Sequence, residues 1–303
     1  MTSPPVADTV EVGGRRVRFT NPAKVLWPAA GFTKSDMLDY YRAVADAFLP
    51  HIAGRPLTLG RWPDGTARLG WMQTTCPHPP EWIPTHAVPR QTGTGRGRDY
   101  CVVNEEAALV WAVNLGAIEF HPLLSRLPAV EHPDTLIFDL DPGEGAGLAA
   151  ACTVALRLHE LLTDAGLDAF PKTSGQAGLH VAVPLAAGST TYPATKAFAR
   201  ATAAGLAAEL PELVVDRMRR SERQGKVFVD WSQNDQHKST VAPYSLRATA
   251  WPLVSTPLTW DEVEAGAAGR HNLLFDAAAV LRRLDAGGDL FRPVIDLDQQ
   301  LPA

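Results

Sequence analysis

Secreted, membrane-spanning and indiscriminately DNA-coating proteins each carry features that are scarce in this chain. Its 303 residues hold three cysteines, Cys76, Cys101 and Cys152, so no disulfide framework can use all of them. There is no CxxC pair, and Cys76-Pro-His78 with His86 beyond it reads as ordinary loop rather than zinc ligands. The opening Met-Thr-Ser-Pro-Pro lacks the basic and apolar regions of a signal peptide. No apolar run approaches the ~20 residues of a membrane span. These absences imply a reduced, soluble, cytoplasmic protein without a membrane partner. A net charge of −5 argues against general attraction to nucleic acid. Internal repeats and long polar linkers are also missing, which leaves a single folded unit.

Enough apolar sequence is present for a large core: 46% of the residues are hydrophobic. Val10, Val12, Val17 and Phe19 flank Gly13-Gly14 as in a hairpin. Thr33-Lys-Ser-Asp36 has the form of a capping box and predicts a helix to about Leu49, ended by Pro50. Thr92 to Arg98 is expected to be a mobile glycine-rich loop, not a dinucleotide fingerprint, because no helix start follows it. A short helix over 106–115 and a strand over 117–121 come next, then helices over 148–165 and 194–210. A second capping box, Thr259-Trp-Asp-Glu262, leads into closing helices through Leu284. Strands and helices mix without strict alternation, so the pattern predicts an α+β fold around a mixed, largely antiparallel sheet. The boundaries implied are an N-terminal tail over 1–14, one catalytic domain over 15–290 and a C-terminal tail over 291–303.

The chemistry concentrates in a few segments. Thr135-Leu-Ile-Phe-Asp139-Leu-Asp141 is an apolar run with two carboxylates at i and i+2. In a strand these share one face while Leu136, Phe138 and Leu140 share the other. Adjacent carboxylates repel unless a cation lies between them, so the pair points to a divalent metal. A second strand, Lys226-Val-Phe-Val-Asp230, supplies a third acid. Three acids on two strand ends suit two-metal phosphoryl transfer. The competing reading is two strand-end carboxylates that bond nearby backbone amides. In Ser174-Gly-Gln-Ala-Gly-Leu-His180, Gly175 and Gly178 allow close backbone approach to an anion, and Ser174 and His180 can donate to phosphate. Alone, that turn could equally be a tight connection. Arg217, Arg219, Arg220, Arg223 and Lys226 fall within ten residues, relieved by Glu222. This is either a local electrostatic footprint or a solvated basic turn.

Four motifs in order carry a family resemblance: Asp-Leu-Asp-Pro-Gly-Glu-Gly (139–145), Thr-Ser-Gly-x-x-Gly-Leu-His (173–180), Gly-Lys-Val-Phe-Val-Asp-Trp-Ser-Gln-Asn (225–234) and Ala-Pro-Tyr-Ser-Leu-Arg (242–247). Over residues 15 to 290 the chain resembles the polymerase module of bacterial ligase D, in the archaeo-eukaryotic primase superfamily. The resemblance implies an RRM-like catalytic core with flanking α/β elements. It also implies a monomeric, nucleoid-associated, template-directed nucleotidyltransferase for end joining and short-gap repair. Asp139, Asp141 and Asp230 match the ligands of two Mg²⁺ or Mn²⁺ ions, and His121 matches a histidine beside nucleotide and metals. Ser174, Gly175, His180, Lys238 and Arg247 match the triphosphate site. Asn21, Lys24 and Lys34 match a pocket for a 5′-phosphate across a gap. Trp71 matches a residue that stacks on template, and Arg220 and Arg223 fall on a basic loop near template and primer. The implied partners are NTP or dNTP, gapped or broken duplex DNA with a 5′-phosphate, a Ku-like protein and a separate ATP-dependent DNA ligase.

Three positions depart from the family pattern. Gly60 stands where a basic residue of the 5′-phosphate pocket is common. Trp71-Met-Gln-Thr74 replaces an aromatic pair followed by Gln-Lys, and Ala177 replaces a lysine between the two glycines. Two other functions compete. A sugar-nucleotide transferase would use Asp139 and Asp141 but has no need of the basic run. A catalytically weak DNA-end-binding scaffold would use the basic run but leave the acids idle. Asp230 counts against both.

Overall fold

The structure, a computed structural model, describes residues 7–89 and 97–302. The first half contains β1 (Ala7–Val12), β2 (Arg15–Thr20), β3 (Val25–Trp27), β4 (Phe32–Thr33), α1 (Lys34–Ala43), α2 (Ala45–Ile52), β5 (Leu57–Arg61), β6 (Trp71–Gln73), β7 (Thr85–Val88), β8 (Arg98–Cys101), α3 (Glu106–Asn114) and β9 (Ala117–Pro122). The second half contains β10 (Thr135–Pro142), α4 (Gly147–Asp164), β11 (Phe170–Thr173), β12 (Leu179–Pro184), α5 (Tyr192–Glu209), β13 (Val214–Val215) and β14 (Val227–Asp230). It ends with α6 (Trp260–Ala267), α7 (Ala277–Gly287) and α8 (Pro293–Asp296).

Two five-stranded sheets organise the chain. One runs β11-β12-β10-β14-β13, antiparallel except for the parallel β13–β14 pair; the other runs β6-β5-β8-β7, with β9 added to β5. Each has its own core. Trp27, Tyr41, Phe48 and Phe120 fill the first, and Leu136, Phe138, Leu140, Val154 and Leu158 fill the second. Strand alternation explains the second core. Leu136, Phe138 and Leu140 are fully buried on the face that packs under α4, each contributing about 1.5–3 kcal/mol by burial. That leaves Ile137, Asp139 and Asp141 on the opposite face.

Both capping boxes form, at Thr33 with Asp36 and at Thr259 with Glu262. The helix expected over 34–49 is two, separated at Val44, and it runs past Pro50 to Ile52. Pro50 sits in the last turn, where the missing N–H breaks up little of the helix. The glycine-rich loop expected over 92–98 lies outside the described residues except for Gly97 and Arg98.

One expectation is corrected. Cys76 and Cys101 form a disulfide, leaving Cys152 free and buried. The Cys76 amide donates to the Asp99 carbonyl at 2.7 Å, laying the two cysteines side by side, a proximity that nothing in their 25-residue separation announces. The hairpin expected around Gly13-Gly14 forms, and the C-terminal segment is anchored where it is described. β1 pairs with β2 along its length. Phe291 is buried, and the Gln299 side chain bonds both the amide and the carbonyl of Asp168. No helix among the described residues is long and apolar enough to cross a membrane.

Candidate active site

Strand register builds the site. Lys172 pairs with His180, His180 with Asp139, and Asp139 with Asp230, so four ionisable side chains lie in one row across β11, β12, β10 and β14. His180 Nε2 lies 3.3 Å from Asp139 Oδ1. The row opens into a cleft of about 200 Å³ that Asp139, Asp141, Ser174, His180, His121 and Arg247 line. The sequence-predicted carboxylates, histidines, serine and arginine are therefore brought together, although His121 and Arg247 belong to other segments of the chain.

The electrostatics are those of crowded acids. Burial, then Asp139 and Asp230, push the Asp141 carboxyl up to about 7. Burial opposes ionisation of Asp139 as well, but His180 and the Lys172 and Arg247 charges hold its carboxyl below the usual range. Asp139 Oδ1 is buried without a hydrogen bond. Gln233 Nε2 stands between the acids, donating to Asp230 Oδ2 at 2.9 Å and to Asp139 Oδ2 at 3.4 Å. Among the described residues no three His, Cys, Asp or Glu side chains close into a finished metal cage. The donor set nonetheless fits Mg²⁺ or Mn²⁺: oxygen ligands only, one of them an orphaned buried oxygen, and a surplus of negative charge.

The cationic side of the cleft is held by Glu119, which the sequence reading missed. Its carboxylate lies 2.8 Å from His121 Nε2 and 3.2 Å from Arg247 Nη1, and it accepts from the Ala248 amide at 2.9 Å. Burial alone would raise its carboxyl; the His121 hydrogen bond and the Arg247 charge overcome this and hold it low. An acid two residues before His121, set between apolar Ile118 and Phe120 in the expected strand, was the available signal. Ser174 Oγ accepts from the Gln176 and Gly178 amides, closing the turn. Gly175 has φ +75°, and a Cβ there would lie 2.5 Å from Arg247 Cγ, so only glycine lets the turn approach the arginine. Lys238 lies farther back, donating at 2.5 Å to Ser232 Oγ, which in turn bonds Asp230.

Residues expected on DNA are more dispersed. Asn21, Lys24 and Lys34 share one turn, where the Lys24 amide donates to Asn21 O and the Lys34 amide to Lys24 O. Lys24 Nζ is 2.7 Å from exposed Asp64. Lys34 differs from a free phosphate ligand: it is buried, and its ammonium donates at 2.8 Å to Thr20 O, Asn114 O and Asn114 Oδ1. Burial and the nearby Lys24 lower it to about 8. To bind a phosphate it must give up one of these acceptors. Gly60 has a steric reason. A Cβ there would meet the Trp62 ring at 2.8 Å and Glu119 Cβ at 2.9 Å, so the indole occupies the space a longer side chain needs. Trp71 is 44% exposed and stacks under Arg61 at 5.1 Å. The basic run divides. Arg217, Arg219 and Arg220 face solvent, whereas Arg223 stacks 3.7 Å over Phe228 and Lys226 bonds the Pro211 carbonyl.

The structure matches that of the polymerase domain from Mycobacterium tuberculosis ligase D in complex with DNA, with a TM-score of 0.86 and 38% identity, over 94% of this chain and 99% of that one. The fold is that of a primase-polymerase domain. A family model for the LigD primase-polymerase domain matches residues 33–291. The multifunctional non-homologous end joining protein LigD of Mycolicibacterium smegmatis is 42% identical over 92% of this chain, and the bifunctional non-homologous end joining protein LigD of Bacillus subtilis is 28% identical over 82%. The chain belongs to the LigD primase-polymerase domain family. It spans 36% and 40% of the lengths of those two relatives.

Proposed function

We propose that this chain is a template-directed nucleotidyltransferase that transfers the nucleotidyl group of an NTP or dNTP to a primer 3′-hydroxyl with release of pyrophosphate, filling short gaps and ends of broken duplex DNA in non-homologous end joining or related gap repair. The observation that carries this reading is the register that aligns His180, Asp139 and Asp230 along a cleft shared with Asp141, Ser174 and Arg247. Asp139, Asp141 and Asp230 would hold Mg²⁺ or Mn²⁺, which when bound supply Lewis-acid activation of the hydroxyl and neutralise phosphate charge. Gln233 must release Asp139 and Asp230 for those oxygens to serve as ligands. In the same cleft Arg247, oriented by Glu119, presents a planar fork to phosphate oxygens, and Ser174 and His180 present single donors. Glu119 also orients the His121 ring through Nε2, which leaves Nδ1 to meet the nucleotide. Binding the triphosphate to these donors would set the α-phosphorus beside the acids, where the attack takes place.

DNA would be held at a distance from the row. Asn21 and Lys24 form the natural phosphate-binding turn, with Lys34 bracing it. Trp71 offers an aromatic face to a template base, and Arg217, Arg219 and Arg220, with Arg223 at the edge, offer charge to the backbone. Recruitment by a Ku-like protein and sealing by an ATP-dependent DNA ligase complete the proposed context, in the cytoplasm at the nucleoid.

The experiment is primer extension on gapped DNA, with a downstream 5′-phosphate or 5′-hydroxyl and with each nucleotide class. Metal-dependent, template-directed addition that EDTA stops is expected, with a modest preference for the 5′-phosphate because Gly60 supplies no cation. DNA binding without any addition would replace the polymerase by an end-binding scaffold.

A further inference from the structure

Lys172 is buried to 1% exposure, yet the nucleotide wall and the acids both leave it without a role. Its Nζ lies 3.1 Å from His180 Nδ1 and 2.7 Å from Ser255 Oγ. Ser255 Oγ gives its own proton to the Thr173 carbonyl at 2.8 Å, so toward Lys172 it accepts. The other face of His180 is turned to Asp139 Oδ1 at 3.3 Å, ion-pair range but off the line of a good hydrogen bond.

We infer that Lys172 is a positioning residue that fixes His180 in the form with hydrogen on Nε2, aimed into the cleft. This rests on the nucleotide-binding reading of His180 and adds the group that sets its donor. Two arrangements satisfy both contacts. In one, Lys172, as ammonium or as neutral amine, donates an N–H to a bare Nδ1, and the ring hydrogen sits on Nε2. In the other, a neutral amine accepts from Nδ1–H of an imidazolium, and Nε2 again carries hydrogen. The remaining tautomer, with hydrogen on Nδ1 alone, turns a lone pair toward the Asp139 carboxylate, and it also sets N–H against N–H if Lys172 is an ammonium. It is disfavoured in each case. The Nε2 hydrogen is only loosely engaged by Asp139 and is available to a phosphate oxygen. Without Lys172 only the loose Asp139 contact opposes the Nδ1–H tautomer, so part of the population presents a lone pair, which a phosphate would repel.

The test uses ¹⁵N-imidazole NMR of the full chain without nucleotide, with His180 assigned by its disappearance in His180→Gln. The native protein is expected to show a pyrrole-type Nε2. In Lys172→Met, Nε2 should move toward the average of two tautomers. In Lys172→Gln, whose amide carries a donor at nearly the same reach, the pyrrole-type signal should return. In primer extension Lys172→Met should raise the nucleotide KM about tenfold, as expected for losing one hydrogen bond to a charged group, with a smaller effect on kcat. Lys172→Gln should recover most of that loss. A pyridine-type Nε2 in the native protein overturns the inference, and so does an unchanged His180 signal in Lys172→Met. If Lys172→Met does not fold, the native and Lys172→Gln spectra decide. A native protein that extends no primer sinks the polymerase reading, while the imidazole signals still judge Lys172.

Discussion

Asp141 is where the site's electrostatics can be read as stability. Its carboxyl is pushed up to about 7 by burial and by Asp139 and Asp230. In the folded protein it holds a proton that the unfolded chain has released above its ordinary value of 3.8. The resulting stability is therefore fully present below about 4 and is lost as pH rises through about 7. The buried histidines His51, His121 and His180 are shifted down by burial. Their contribution runs the other way: it is present above the ordinary histidine range and is lost as pH falls. Comparing Asp141→Asn with the native protein cancels the histidines. In EDTA the variant should melt higher than the native protein at pH 8, and the advantage should shrink toward pH 5. Calorimetry at the two pH values checks this; an advantage independent of pH would mean that the carboxylates do not crowd one another.

The strand β10 was legible because alternation is a local property. Leu136, Phe138 and Leu140 in one direction and Asp139 and Asp141 in the other follow from a period of two. Truncating Phe138 to Ala should cost about 3–5 kcal/mol, because its ring is fully buried beneath α4; urea unfolding would show it, and a loss below about 1 kcal/mol would place the ring outside the core. What alternation could not show is which strands lie alongside. The Lys172–His180–Asp139–Asp230 row depends on the registers of three pairings between segments up to 91 residues apart, from Asp139 to Asp230. For that reason nothing in the sequence marks Lys172, which precedes the Thr173–His180 motif, as a buried partner of His180. The same limit hid Glu119, whose partners His121 and Arg247 come from one strand and a distant loop. It also left Lys34 readable only as a match to the 5′-phosphate pocket, although its acceptors lie on Thr20 and Asn114.

On the scale of the whole molecule, two sheets with separate cores meet around one cleft, and residues from both halves line it. His121 comes from β9 of one sheet, the acids come from the other, and Arg247 comes from the segment after β14. The α+β class and the order of the motifs were readable from the chain, because caps, alternation and glycine turns are written locally. The anchoring of the C-terminal segment was not, since it rests on single long-range contacts such as Gln299 with Asp168. The account stands on the acids acting as catalytic metal ligands rather than as strand-end ornaments or DNA-repelling charge. The most direct measurement is single-nucleotide extension of a gapped primer by Asp139→Ala in Mn²⁺, with DNA affinity measured on the same preparation. Loss of metal-assisted charge stabilisation should reduce extension by about 10³-fold or more, with DNA affinity nearly unchanged. Extension near the native rate by Asp139→Ala would contradict the account.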